Sequence, residues 1–486
     1  MNTTTTPDIA ARWAPTSGSM ARRSAPRWVR WVGWLIHNPV PVLALTAVVA
    51  LGATVGPVAT VTVVAVSAVG CAVWARRHRR SWDATGGRVL LGAWRCAWTY
   101  GVRWRASMIF VGLAGSLDGH EWVPRVVRVR AGRFVDRVTV RFVVGQQPDD
   151  WARRADALAH AFGARSCQVT MLAGRPGFVE LTIGRADPLA QVVPALPVPE
   201  HDAGLDLSAV PVGVTEAGER WRLDVTGGRH TLIAGVTGAG KGSVVWSLLR
   251  GLGPAVASGR VQVWCCDPKG GMELAPGAAM FTRFAHRTDA MVELLEDAAL
   301  LMQARCDRLR GVTRAHVATP AQPALVVVVD ELAHLTAYGT DPALRKRATQ
   351  ALSLLLSQGR APAITVVAAL QDPRKDVVAF RDLFPNRVAL RMVEADQTRL
   401  VLGSGAHDRG AACELIPSSL PGVGYVYLDG RRHPTRVRAA WVSDDDIAAT
   451  ADRYPAPAGA VTDLDHQPQP VDGEAATVVE LVEGTA

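Results

Sequence analysis

The sequence has 486 residues, with 53 Lys+Arg against 44 Asp+Glu, a formal net charge of +9 and a pI near 9.6. At about 100–200 residues per domain this is roughly two to four folding units, and a hydrophobic share of 49% excludes wholesale disorder. The seven cysteines, Cys71, Cys96, Cys167, Cys265, Cys266, Cys306 and Cys413, are scattered. With no CxxC pair and no histidine at zinc-ligand spacing, they argue against a disulfide framework or a zinc site and for reduced, buried thiols.

No residue from Val40 to Trp74 is charged, and the flanks are basic: Arg22, Arg23, Arg27 and Arg30 before, Arg76, Arg77, Arg79 and Arg80 after. One continuous helix over that run would measure about 52 Å, against a hydrocarbon thickness of about 30 Å. Gly56-Pro57 offers a break in the middle. The reading is a transmembrane helical hairpin over residues 34–74, spanning from Trp34 to Val55 and from Val58 to Trp74, because a hairpin leaves both arginine clusters on the cytoplasmic side. Trp28, Trp31, Trp34, Trp74 and Trp82 fit an interfacial belt. Residues 1–33 are then a basic cytoplasmic N-terminus and 75–120 a juxtamembrane segment. The expected location is the cell membrane, multi-pass, with the remainder of the chain in the cytoplasm.

Residues 121–200 read as a small α+β domain. Val126 to Arg130, Arg137 to Val144, Cys167 to Leu172 and Gly177 to Ile183 have strand patterns, and Asp149 to Phe162 reads as an amphipathic helix. Pro194, Pro197 and Pro199 mark a linker. A larger unit follows over residues 201–450. Residues 451–486 close the chain as a disordered acidic tail, with six acidic residues and no Lys or Arg from Tyr454 onward.

In the larger unit, His230 to Ala234 is a short apolar strand, and Gly235, Val236, Thr237, Gly238, Ala239, Gly240 and Lys241 form a glycine-rich loop. Val244 to Leu252 continues as a helix. Backbone N–H groups can turn onto phosphates where no Cβ intervenes, and a helix N-terminus with a lysine adds positive potential. The loop departs from the usual phosphate-loop pattern at its last position, where Gly242 replaces the hydroxyl residue that holds Mg²⁺. Ser243 follows about 100° further round the helix, so a register shift or a water must replace that ligand. Alone, such a loop could be a plain turn.

Leu325 to Val329 is a β-branched run closing on Asp330-Glu331. The aspartate can hold Mg²⁺ and the glutamate can polarise an attacking water. Val261 to Cys266 ends at Asp267 and Ile364 to Leu370 ends at Gln371. Carboxyl ends of strands in an open parallel sheet line a ligand crevice, which places Gln371 to sense a γ-phosphate or position water.

These residues, with Asp267-Pro268-Lys269-Gly270, Glu273-Leu274, Gly359-Arg360-Ala361 and Asn386 to Leu390, resemble the FtsK/SpoIIIE family of double-stranded DNA translocases and, within it, actinobacterial conjugative-element transfer proteins. The resemblance implies an α/β fold, a RecA-like P-loop motor domain with a parallel sheet, preceded by the small α+β domain and the transmembrane hairpin. It implies ATP and Mg²⁺ at Gly235 to Ser243 and Asp330, with Glu331, Arg360 and Gln371 catalytic. Arg360 would reach a neighbouring subunit's site in a homo-oligomeric, hexameric ring. The expected function is membrane-anchored, ATP-driven movement of double-stranded DNA in conjugal transfer, with Arg374 and Lys375 as candidate pore residues. Only about 46 residues follow Ala440, leaving no room there for a DNA-reading winged helix, so loading would fall to a partner protein. A chromosome-partitioning translocase and a type VII-like protein-secretion ATPase are the alternatives.

Overall fold

A computed structural model describes residues 52–54, 56–78, 81–82, 85–117, 120–172, 174–339, 341–373, 381–428 and 433–457. Two compact units divide at Ile183 and Gly184.

In the first unit, helix α1 (Pro57–Arg77) starts where the sequence offered a break: Gly56 has φ 91 and Pro57 opens the first turn. Its 21 residues span about 32 Å at 1.5 Å per residue, enough for a bilayer. Val58 and Val61 are 79% and 69% exposed, an apolar surface that water does not favour. Among the described residues this is the one helix long and apolar enough to cross a membrane. The other arm of the expected hairpin, apart from residues 52–54, lies outside the described residues.

Helix α2 (Gly86–Trp94) runs on through a π-helical stretch, Arg95–Val102, into α3 (Trp104–Phe110). A two-stranded ribbon follows, β1 (Gly115–Leu117) antiparallel to β2 (His120–Trp122). Strands β3 (Arg125–Ala131), β4 (Val135–Arg141), β5 (Ser166–Met171) and β6 (Phe178–Gly184) form a sheet in the order β3-β4-β6-β5. Burial alternates along β4 and β6, so Val138, Val140, Val179, Leu181 and Ile183 face a core. Tyr100, Trp104, Met108 and Leu113 complete that core. Residues 95–113 are therefore part of the small domain, which corrects the reading of 75–120 as a separate juxtamembrane segment. The fully buried Asp136 ties the two parts together, accepting from Arg95 Nη1 at 2.7 Å and Tyr100 OH at 2.8 Å. The single helix expected over 149–162 is two, α4 (Pro148–Ala152) and α5 (Ala155–Ala161). Arg154 leaves helical geometry between them, its Nε donating to Val111 O at 2.9 Å.

The second unit is built on one ten-stranded sheet. Its strands are β7 (Val210–Thr215), β8 (Arg220–Leu223), β9 (Thr231–Ala234), β10 (Val261–Cys266), β11 (Arg283–Ala285), β12 (Ala324–Val329), β13 (Ile364–Leu370), β14 (Asn386–Leu390), β15 (Val423–Val426) and β16 (Thr435–Ala439). The order is β11-β10-β12-β13-β9-β14-β15-β16-β7-β8. The first six strands are mutually parallel, and β14 to β8 continue antiparallel. The sheet is thus mixed, where the sequence suggested a parallel one. Every residue of β12 and β13 is buried. Along β12, Leu325, Val327 and Val329 enter one core while Ala324, Val326 and Val328 enter the other, because alternate side chains leave a strand on opposite faces. Helices α6 (Lys241–Ala257), α7 (Thr288–Leu309) and α8 (Pro342–Gln358) cover these faces, and α9 (Ala395–Leu402) and α10 (Asp444–Arg453) follow.

Two boundaries differ from expectation. The proline-bearing stretch is strapped to this unit: Leu189 is fully buried, Trp441 N donates to Val193 O at 2.8 Å, and Tyr454 OH donates to Pro199 O at 3.1 Å. Likewise residues 451–457 are no solvated tail. Ala451 lies in α10, Tyr454 is 7% exposed against Gly253, and Ala456 N donates to Ala279 O at 2.8 Å. An aromatic ring on a helix end outweighs the local polar composition. Residues 458–486 lie outside the described residues.

Candidate functional site

Strand order decides what meets. Strand β9, which feeds the glycine loop, pairs with β13, and β13 pairs with β12, so Gln371 stands between the loop and Asp330-Glu331 at one edge of the sheet. Gly235 N donates to Leu370 O at 3.0 Å and Val236 N to Arg391 O at 3.1 Å, which pins the loop across the ends of β13 and β14. Gly240 has φ 96, and a Cβ there would lie 2.3 Å from Gly422 N, so only glycine fits. Gly238 is left-handed too, at φ 71, and open, with Arg391 Nη2 the nearest side-chain atom at 4.0 Å from a built Cβ. Ala239 is buried in the core, whereas Thr237 is exposed.

Helix α6 begins at Lys241, whose N-terminal N–H groups have no partners within the helix and face the same edge. Lys241 is 8% exposed and curls back, Nζ donating to Gly235 O at 2.8 Å and Val236 O at 3.3 Å. Burial lowers the pKa of this ammonium, Glu331 and Asp330 pulling the other way.

Asp330 and Glu331 are 4% and 8% exposed. Lys269 Nζ lies 2.6 Å from Asp330 Oδ2 and 3.6 Å from Glu273 Oε1. Burial works against the Lys269 charge, but Asp330, Glu273 and Glu331 outweigh it and hold its pKa above the ordinary value. Burial pushes the Asp330 and Glu331 carboxyls up. Asp267, fully buried, organises the loop that carries Lys269: Oδ1 accepts from Lys269 N at 3.0 Å, and Oδ2 from Glu273 N at 2.9 Å and Leu274 N at 3.0 Å.

Gln371 links the parts. Its N donates to Glu331 Oε1 at 3.4 Å and its Oε1 accepts from Thr237 Oγ1 at 2.9 Å. Gly242 and Ser243 lie on the first turn of α6, Ser243 half-buried. Arg391, which escaped the sequence reading, donates from Nη2 to Thr237 O at 3.1 Å. Lys269 belongs to a motif read from the sequence, but its place beside Asp330 follows from the fold alone.

Arg360 is elsewhere. It is exposed in the turn between α8 and β13, its backbone against Gly228, at the opposite edge of the sheet. The seven residues of β13 put it roughly 20 Å from Gln371 at about 3.3 Å per residue, out of reach of the edge that carries Gln371. Arg374 and Lys375 lie outside the described residues.

The edge fits Mg²⁺ with a nucleotide. The left-handed glycines leave a cradle, and buried Glu331 Oε2 has no hydrogen-bond partner. Among the described residues no group of three or more His, Cys, Asp or Glu could hold an ion by protein ligands alone. Mg²⁺ usually needs no such group, taking one or two carboxylates, waters and substrate phosphates.

Residues 67–185 match the actinomycete conjugal transfer protein N-terminal domain, and residues 201–315 match the FtsK/SpoIIIE family. The transfer protein TraSA of Streptomyces ambofaciens is 28% identical over 358 residues, covering 69% of this chain and 83% of the relative. DNA translocase FtsK of Corynebacterium glutamicum is 30% identical over 250 residues, 46% of this chain but 25% of the relative. A solved structure of the pCW3 conjugation coupling protein TcpA, a monomer form with ATPγS, superposes with a TM-score of 0.45 at 20% identity, over 71% of this chain and 95% of that one. The chain is therefore similar over residues 67–185 to the actinomycete conjugal transfer protein N-terminal domain and over residues 201–315 to the FtsK/SpoIIIE family.

Proposed function

We propose that this chain is an ATP-hydrolysing motor, anchored in the cell membrane through its N-terminal segment, that moves double-stranded DNA during conjugal transfer of a plasmid or integrative element. The observation that carries the reading is the meeting of Lys241, Asp330, Glu331 and Gln371 at one sheet edge. The match of residues 67–185 favours transfer over chromosome partitioning.

In this reading the N–H groups of Gly235 to Ser243 receive the phosphates, and Lys241 exchanges its loop carbonyls for β- and γ-phosphate oxygens. The exchange is favourable because a buried ammonium gains more from an anion than from neutral carbonyls. Asp330 would hold Mg²⁺, which supplies charge neutralisation on the phosphates. Glu331 would accept a hydrogen bond from the attacking water and take its proton as the water attacks, Oε2 being its unpartnered oxygen. Gln371 connects Glu331 to Thr237 and transmits the state of the γ-phosphate between loop and water. Arg360, too far from its own edge, serves the next subunit in a hexameric ring, where a guanidinium stabilises charge on the transferring phosphoryl group. Contacts to duplex DNA would be chiefly to phosphates.

The test is ATP turnover by the purified full-length chain, titrated with duplex and single-stranded DNA at two salt concentrations. Duplex should stimulate hydrolysis, and the midpoint should weaken steeply with salt as the entropy gained by releasing counterions falls. Glu331→Gln should hydrolyse by orders of magnitude more slowly while still binding ATP. Equal turnover in the variant, or indifference to duplex, would remove the reading.

A further inference from the structure

Position 242 poses a chemical question that the rest of the edge answers. A phosphate loop normally places a hydroxyl there as a direct Mg²⁺ ligand, and this chain has no side chain at all. A Cβ built on Gly242 finds no heavy atom closer than Glu273 Oε2, at 4.0 Å. The space left by the missing hydroxyl is therefore bordered by a carboxylate from the Asp-Pro-Lys-Gly loop.

That carboxylate already shares a cation with Asp330. The Lys269 ammonium stands 2.6 Å from Asp330 Oδ2 and 3.6 Å from Glu273 Oε1, so two acidic side chains from different strand ends converge on one positive charge. Glu331 provides a separate sign that this pocket awaits a cationic ligand. It is 8% exposed, lies within the fields of Lys241 and Lys269, and leaves Oε2 without a partner. The loop is fixed by Asp267 through the backbone N–H groups of residues 269, 273 and 274, while the Glu273 side chain is 51% exposed and approached by Lys269 Nζ at 3.6 Å.

We propose that Glu273 supplies the oxygen ligand toward Mg²⁺, direct or through one water, that Gly242 removes from the phosphate loop. Lys269 holds Glu273 and Asp330 together until the metal arrives. A carboxylate suits this exchange because Mg²⁺ prefers hard, anionic oxygens and few protein ligands. Its second methylene lets it reach the metal from a neighbouring loop where serine would reach from the helix. The proposal rests on the nucleotide reading above and adds to it the residue that completes the metal shell.

The experiment uses the full-length chain in detergent, a non-hydrolysable ATP analogue, and Mn²⁺ as the probe, with free Mn²⁺ read by electron paramagnetic resonance. Glu273→Gln should weaken Mn²⁺ binding in the presence of the analogue roughly 10–100-fold, the scale on which outer metal partners act. Its affinity for the analogue in EDTA should be unchanged. In a Gly242→Ser background the same Glu273→Gln change should cost little, since the hydroxyl is restored. Unchanged Mn²⁺ affinity in Glu273→Gln would overturn the proposal, as would an equal loss in both backgrounds, which would mark Glu273 as a general electrostatic contributor. A native chain that binds the analogue tightly but shows either of those results leaves the nucleotide reading standing. A native chain that binds no analogue ends both.

Discussion

The two edges of the parallel sheet are built from the same strands and have opposite characters. At the amino-terminal edge several polar groups are matched, although His230 Nε2 and Thr231 Oγ1 have no partner: Val366 N donates to His230 Nδ1 at 3.0 Å, Thr365 Oγ1 to Val225 O at 2.9 Å, and buried Arg305 to Pro362 O and Pro323 O at 2.9 and 2.7 Å. At the carboxyl-terminal edge Lys241 bonds only its own loop, Lys269 is shared between carboxylates, and Glu331 Oε2 has no partner. Matched buried groups lend stability, and groups held short of their partners lend reactivity. The difference separates residues that hold the sheet from residues available to a ligand.

Arg360 is the sharpest challenge to that division, because it sits on the amino-terminal edge yet is assigned to chemistry. Arg360→Ala should cut turnover by about 10³-fold or more while ATP affinity stays intact. Mixing it with Glu331→Gln subunits should restore part of the activity; no restoration and no loss would return Arg360 to a structural role. On the same edge, burial lowers the His230 pKa from 6.5 to about 4. Between those values the unfolded chain binds the proton and the folded chain does not. Stability is therefore full above pH 6.5 and declines as pH falls toward 4, by roughly 3 kcal/mol for this group. Urea unfolding at several pH values checks it, and His230→Asn, which keeps an acceptor for Val366 N, should flatten that part of the slope.

At the other edge stability should move less than binding. Lys241→Ala should lower ATP affinity by roughly 10–100-fold, the value of a charge-assisted contact, with little change in unfolding free energy. Isothermal titration alongside urea unfolding would separate the two, and a large stability loss with unchanged affinity would invert the comparison. Gly242→Ser is the smallest change. The site has room, with Glu273 Oε2 the nearest neighbour at 4.0 Å from the new Cβ, so the variant should fold normally and bind Mg²⁺–ATP at least as well as the native chain in the same titration.

Much of the second unit was legible because its signals are local. A run of β-branched residues buried on both faces reads as a central strand whatever surrounds it, and Val261–Cys266 and Ile364–Leu370 begin and end where the pattern placed them. The glycine loop and the acidic pair were legible from the chemistry that each residue type can perform. The antiparallel extension was not. Its strands run four to six residues, and β7 pairs with β16 from the far end of the chain, a partner that no local window contains. For the same reason residues 95–113 read as a connector: their apolar side chains find their partners on β4, β6 and α5 only after folding.

The sequence by itself determined which residue types in the loop and at the strand ends suit phosphate and metal chemistry, where the apolar segment lies and which stretches are central strands, since composition, charge and side-chain period act within a few residues. Only the tertiary structure decided that Lys269 neutralises Asp330, that Gln371 bridges loop and glutamate, and that Arg360 stands at the opposite edge. Those relations depend on the order in which distant strands enter one sheet, and that order follows from packing free energy summed over the whole unit.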